Sequence, residues 1–324
     1  MRVPITLSLH IPNFNYPGVG PDEVFERIAA IAATAEQSGF SSVSVMDHLH
    51  QIGPVGPPEN WMFEGSTMLA AIAARTSKLT MGLMVGSVTY RNPAIAAKTT
   101  TTLDVISRGR AWHGIGAGWF EEEHVAYGYE YPTLKTRFEM LEEELQLVRA
   151  MFTQDQARFS GTHFRVQDAY NNPKPVRGDI PILIGGSGER KTLRLVAQYG
   201  DGCNLFGDPQ RVSHLLEVLR GHCEDVGRDY AEITKTALGR VLIAPTHEAA
   251  EAKKHALLAQ GVPEENLAAT IIGDPDTVGE RVQAFKEAGL EGYCFSMADS
   301  YDLETVKLAG DTLAKIFPRA AVAA

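Results

Sequence analysis

Asp47 and His48 stand side by side in SVMDHLHQ, residues 44–51, where a short β-like run ending at Met46 gives way to polar residues. An imidazole with an ordinary pKa of ~6.5 gives or takes a proton near neutral pH. The pair therefore reads as catalytic groups at a strand end, with His48 as the proton-transferring residue, or as polar residues in a surface loop. His10 ends an earlier β-like run and is a second candidate to face the same place. His50, two residues past His48, has no motif behind it.

Two glycine patterns could bring backbone close to a ligand. GIGAGWFEEE places Gly114, Gly116 and Gly118 at alternate positions. Either the backbone gives clearance to a flat or anionic ligand, or the chain turns tightly from strand to helix. Ile184–Gly188 (IGGSG) precedes a helix expected to start near Glu189. Its free N–H groups would suit an anion such as phosphate, and the alternative is a plain helix cap by Ser187. In the acidic run Glu121–Glu123, Glu122 is the candidate to turn inward, against a solvated helix start. In TYRNPAIAAK, Asn92 and Pro93 read as N-cap and first helical residue, which is structure rather than chemistry. There is no HExxH, and Cys203, Cys223 and Cys294 lack a metal-site spacing, so no metal is expected.

The elements that must position these groups alternate. Strands are expected over Ile5–Ile11, Ser42–Met46, Leu79–Val85, Arg110–Ile115, Ile180–Ile184, Gly202–Phe206, Lys235–Ala244 and Gly292–Met297. Helices are expected over Asp22–Ser38, Ala94–Ile106, Arg137–Phe152, Lys191–Tyr199, Pro209–Val226, Pro275–Ala288 and Asp302–Phe317. This α/β order predicts one (β/α)8 TIM barrel over residues 1–324, with insertions at its C-terminal mouth, over an open doubly wound sheet. The barrel would gather Asp47–His48, Val85–Gly86, Gly116–Gly118 and Gly185–Gly186 at the end where its strands finish. The Pro/Gly-rich stretch Gln51–Glu64 reads as loop, and FSGTHFRV as a hairpin, both expected near the mouth.

The chain has 324 residues, 44% hydrophobic and 22% charged, enough to bury a sizeable core. A formal net charge of −10 argues against nucleic acid and anionic membranes as partners. No apolar run is long enough to span a bilayer and no signal-peptide pattern opens the chain. The odd, scattered cysteines suit a cytoplasmic location.

Taken in order, VMDHL, GLMVGSVTYRNPAIAAK, LDVISRGRAWHGIGAGWFEEEHVAYG and PILIGGSGERKTLRLVAQYGDGCN resemble the luciferase-like monooxygenase superfamily, and within it the coenzyme F420-dependent oxidoreductases. The resemblance implies a barrel with F420, or alternatively FMN, across its C-terminal mouth, and a homodimer. It implies Asp47 at the polar edge of the ring and His48 beside the redox-active carbon. Met84–Val85 would form a bulge behind the ring, often with a non-prolyl cis peptide. Gly116, Ala117 and Gly118 would follow the ribityl chain with Glu122 nearby, and Gly185, Gly186 and Ser187 would hold the phosphate. The pattern departs at Trp119, where relatives that oxidise glucose 6-phosphate carry a Glu acid. With Trp61, Met62 and Phe63 as an apolar lid, the expected substrate is a small apolar, planar molecule. An F420-dependent hydride transfer is the first reading. The others are an FMN-dependent monooxygenase and a non-catalytic flavin- or deazaflavin-binding barrel.

Overall fold

The computed structural model describes residues 1–319. Its strands are β1 (Leu7–Ile11), β2 (Ser42–Val45), β3 (Thr80–Leu83), β4 (Gly86–Ser87), β5 (His113–Gly116), β6 (Ala157–Ser160), β7 (Arg165–Ala169), β8 (Ile182–Gly185), β9 (Gly202–Leu205), β10 (Thr234–Ile243), β11 (Thr270–Gly273) and β12 (Gly292–Ser296). The main sheet runs β3-β2-β1-β12-β10-β9-β8-β5-β4, and its pairings are parallel. A parallel bridge between Met81 and Ala111 brings its two ends together. The result is the expected (β/α)8 barrel, with β3 and β4 as one stave broken at Met84–Val85.

Parity along the strands decides what each side chain meets. In β1, Leu7, Leu9 and Ile11 join the main apolar core with the helices, and Ser8 and His10 take the opposite face. That face lines the barrel. Val3, Ile5, Met84, Trp112, Leu183 and Cys294 form a small separate core inside it, with Val85 and Leu238 packed on it. Glycines are required where strands crowd. A Cβ on Gly114 would lie 1.9 Å from the Leu83 carbonyl oxygen, so this member of the alternating-glycine pattern serves strand packing.

The eight expected staves are present, with ends that differ by a few residues. The helix Gly65–Arg75 and the strand β11 were not anticipated. β11 pairs only with the upper end of β10, beyond the point where β9 stops. The hairpin β6–β7 forms as expected. Glu143 of the helix Leu134–Thr153 accepts from the N–H groups of Thr162, His163 and Phe164, so the hairpin packs along that helix. Among the described residues it makes no hydrogen bond to the strand-end groups.

Candidate active site

The chain after β2 carries Asp47 and His48 to the mouth. Asp47 is buried, and Arg91 grips it with two parallel bonds of 2.6 and 2.8 Å. Ser87 N–H donates to the same carboxylate at 3.3 Å. Arg91 also reaches Glu64 at 2.6 Å, and Glu64 in turn caps the helix Gly65–Arg75. Burial pushes the Asp47 carboxyl upward, and the guanidinium and the Ser87 N–H oppose that. Burial alone would lower Arg91, but Asp47 and Glu64 hold it above its usual range. Asp47 thus ties the end of β2 to β4 and to the start of the next helix. The sequence reading passed over Arg91 as part of a helix start.

His48 is held by a different acid. Its Nδ1 lies 2.8 Å from Oε2 of Glu123, which also accepts from the backbone N–H groups of Leu49 and His50 and from the Tyr90 hydroxyl. Burial would raise the pKa of Glu123, but the bonds from His48, Tyr90 and Leu49 outweigh it and hold the carboxyl below the usual range. An ionised carboxylate only accepts, so His48 Nδ1 carries the hydrogen and neutral His48 presents its lone pair at Nε2. Nε2 has no partner among the described residues. The ring stands edge-on to Trp119 and Phe120, with centroids 5.5 and 5.7 Å away.

His10 occupies the barrel interior, 3.0 Å from Ser44 Oγ. Burial, with His48 nearby, pushes its pKa down to about 4, so it is neutral at pH 7. His50 bonds the carbonyl of Gln51. The inward-turning acid is Glu123 and not Glu122. In the helix Glu121–Tyr127, Glu123 and His124 face the protein and Glu122 faces solvent. The acidic run was the right signal, but the helical phase selects its third member.

The remaining strand ends form a floor. The Met84–Val85 peptide is cis. A Cβ on Gly185 would lie 2.8 Å from Val85 Cγ2, and one on Gly116 would lie 3.0 Å from it. The two glycines thus make the space that Val85 fills. After them come Ala117, half-buried, and Gly118, whose φ is +74° and whose Cβ would lie 2.5 Å from Ser87 Oγ. Trp61, Met62 and Phe63 are half-buried, pinned by Trp61 N–H on Asn15 Oδ1 and by Phe63 against Phe14.

At the other side of the floor, Gly186 adopts φ +126° and its N–H donates to the Asn204 carbonyl. Ser187 does not cap a helix. Its Oγ accepts from Phe206 N–H at 2.9 Å, and the helix begins only at Thr192 with no side-chain cap. The N–H groups of Ser187, Gly188 and Glu189 have no partner among the described residues. Beyond them opens a groove of about 680 Å³ whose walls include Lys135, Phe138, Arg190 and Lys191, together with Arg211 and the Glu189 it pairs with at 2.8 Å. Arg194 is exposed and is not part of that wall.

This arrangement suits a flat ligand that carries an anionic tail: a tight floor, an imidazole with Nε2 unengaged at one edge, and free N–H groups leading to a groove with basic side chains at the other. The chain is similar in sequence to proteins of known activity. An F420-dependent glucose-6-phosphate dehydrogenase of Segniliparus rotundus is 28% identical over 302 residues, covering 85% of this chain and 88% of that protein. A pyrimidine monooxygenase of Pseudomonas savastanoi pv. phaseolicola is 31% identical over 276 residues, 82% of this chain and 73% of that one. The solved structure of an F420-dependent secondary alcohol dehydrogenase with an F420–acetone adduct superposes with a TM-score of 0.80 at 21% identity, over 98% of this chain and 99% of that one. The profile of the luciferase-like monooxygenase family matches residues 5–269, and the chain belongs to that family.

Proposed function

We propose that this chain is an F420-dependent oxidoreductase that transfers a hydride between the deazaflavin and a small organic substrate. The observation that carries the reading is His48, fixed by Glu123 with Nε2 unengaged at the edge of the Val85 floor. When bound, F420 supplies the two-electron carrier. The residues fit it. Val85, backed by Met84 with Gly116 and Gly185, supports the ring, and Asp47 sits at its edge through Ser87 and Arg91. Gly116, Ala117 and Gly118 flank the ribityl chain, with Glu122 at the solvent side. Gly185, Gly186 and Ser187 start the phosphate loop, and Lys135, Arg190, Lys191 and Arg211 take the acidic tail.

His48 holds or accepts the substrate proton at Nε2. Trp119 and Phe120 give its surroundings an aromatic wall, and Trp119 offers no carboxyl, so an apolar, planar substrate body fits better than a sugar phosphate. The cytoplasmic reading is supported by the free thiols of Cys203, Cys223 and Cys294. A homodimer is supported by the apolar residues Ile95, Val105 and Ile106, which the helix Pro93–Ser107 leaves exposed. No helix of the described residues is long and apolar enough to cross a membrane.

The second reading, an FMN-dependent monooxygenase, is favoured by the similarity to the pyrimidine monooxygenase. Parallel fluorescence titrations with F420 and FMN separate the two. Both cofactors share a ring and a ribityl phosphate, so the basic groove must discriminate. Exposed charges contribute only ~0–1 kcal/mol each, so tighter F420 binding is expected to weaken as salt rises. Tighter FMN binding with oxygen-dependent turnover would move the protein to the monooxygenase reading.

Gly186→Asp tests the phosphate loop, with Gly186→Ala as its control. Both replace a glycine at positive φ, and only Asp adds negative charge beside the free N–H groups. Asp is expected to weaken F420 binding by ~10-fold beyond Ala, because charge at an anion-binding turn acts at short range. Equal calorimetric affinities for the two variants would mean that the loop is only a turn.

A further inference from the structure

On the wall across from the Val85 floor stands an arginine that no ion pair engages among the described residues. Arg240 lies in β10, where its Cα is in register with Ser296 of β12. Ser296 is in register with His10, and His10 with Ser44. Neighbours in register on parallel strands share a face, and the His10–Ser44 bond fixes that face as one. One layer below, Leu238 and Cys294 pair with each other and pack with Trp112 and Leu183 inside the barrel. Arg240 therefore belongs to the inward layer that holds His10, at the mouth.

A guanidinium has five N–H donors in a fixed fork. One nitrogen of Arg240, Nη1, donates to the Asn266 carbonyl at 2.8 Å. Its remaining nitrogens have no partner among the described residues, and no described carboxylate lies within 4 Å. Other partly buried arginines without an ion pair are satisfied by backbone carbonyls, as Arg110 is by those of Ala73, Thr76, Leu79 and Ser107, whereas Arg240 has one such bond. The interior neighbour His10 is neutral and does not compete for an anion.

We infer that Arg240 is a recognition site for an anionic group, carboxylate or phosphate, on the substrate. The substrate then has an apolar, planar body against Trp119 and Phe120 and one anionic end at Arg240. This rests on the assignment of the mouth as the substrate site, and it adds the charge of the ligand. Planar carboxylates and phosphates match the guanidinium fork through two parallel bonds, and a half-dry mouth strengthens them.

The test is a calorimetric titration of the F420-loaded protein with benzoate, phenyl phosphate and the neutral benzamide, after absorbance has confirmed loading. At least one anion is expected to bind ~10-fold or more tightly than benzamide, as for hydrogen bonds to a charged group. The tighter of the two identifies the group. Arg240→Gln is expected to abolish that preference and leave benzamide unchanged, and Arg240→Lys to keep part of it. Equal binding of all three ligands to the wild type, no anion binding at millimolar concentration, or a preference that survives in Arg240→Gln would overturn the assignment. Should Arg240→Gln not fold, the wild-type comparison and the Lys variant decide. Failure of F420 to load would sink the cofactor reading alone, since the same titration reads the anion preference on the unloaded protein.

Discussion

Replacing His48 with Ala lowers turnover by ~100- to 10,000-fold, the usual worth of one positioned acid–base group, and leaves the fold and cofactor affinity nearly unchanged. The first half follows from Nε2, the atom that Glu123 leaves with a lone pair at the mouth. The second follows from what the substitution spares. Glu123 keeps its bonds from Leu49, His50 and Tyr90, so no buried carboxylate is stranded. Val85, Gly116 and Gly185 are untouched. The measurement is kcat at saturating cofactor, alongside a cofactor titration. His10 is no substitute, because it is neutral and bound to Ser44. Turnover that stays within about twofold of wild type would remove His48 from the chemistry.

Arg91→Met has the largest expected effect on stability, a loss of ~3–5 kcal/mol, because it strands a buried charge. Asp47 is 4% exposed, and among side chains Arg91 is its bonded partner. Glu64 loses a partner too, but it is half-exposed and keeps its bonds to Ser66 and Thr67. The check is the denaturation midpoint. The double variant Asp47→Leu with Arg91→Met is expected to recover much of the loss, since replacing both charges removes the uncompensated one. An unchanged midpoint in the single variant, or a double variant no better than the single, would show that the pair contributes little.

The barrel was legible because each stave is a short apolar run bounded by Gly, Pro, Asp or Ser, and because helices alternate with them. The helix Gly65–Arg75 was not legible. It opens on Gly65, which reads as a breaker but is there because a Cβ would lie 2.6 Å from the Met46 carbonyl oxygen. Asp47 and His48 could be placed at a strand end from sequence alone. Their partners could not, since Arg91 and Glu123 lie 44 and 75 residues further on and reach them only through barrel closure. The choice of Glu123 over Glu122 depends on helical phase, which three adjacent acids do not reveal. Arg240 looked like any strand residue until the registers of β10, β12 and β1 put it on the inner face.

The broken stave has a consequence for how the barrel holds together. β3 pairs with β2, and β4 pairs with β5, so the two halves of this stave face different neighbours. Between β3 and β5 the ladder shrinks to the bridge at Met81–Ala111. The cylinder therefore has a seam, which ends below the mouth where β4 takes up its ladder with β5. Amide groups along it are the ones whose local opening disturbs the fewest ladder bonds, which places this line at the low end of local stability. Val85 sits at the hand-over between the two ladders, so the stave that carries the floor is held by one neighbour below it and by another above it.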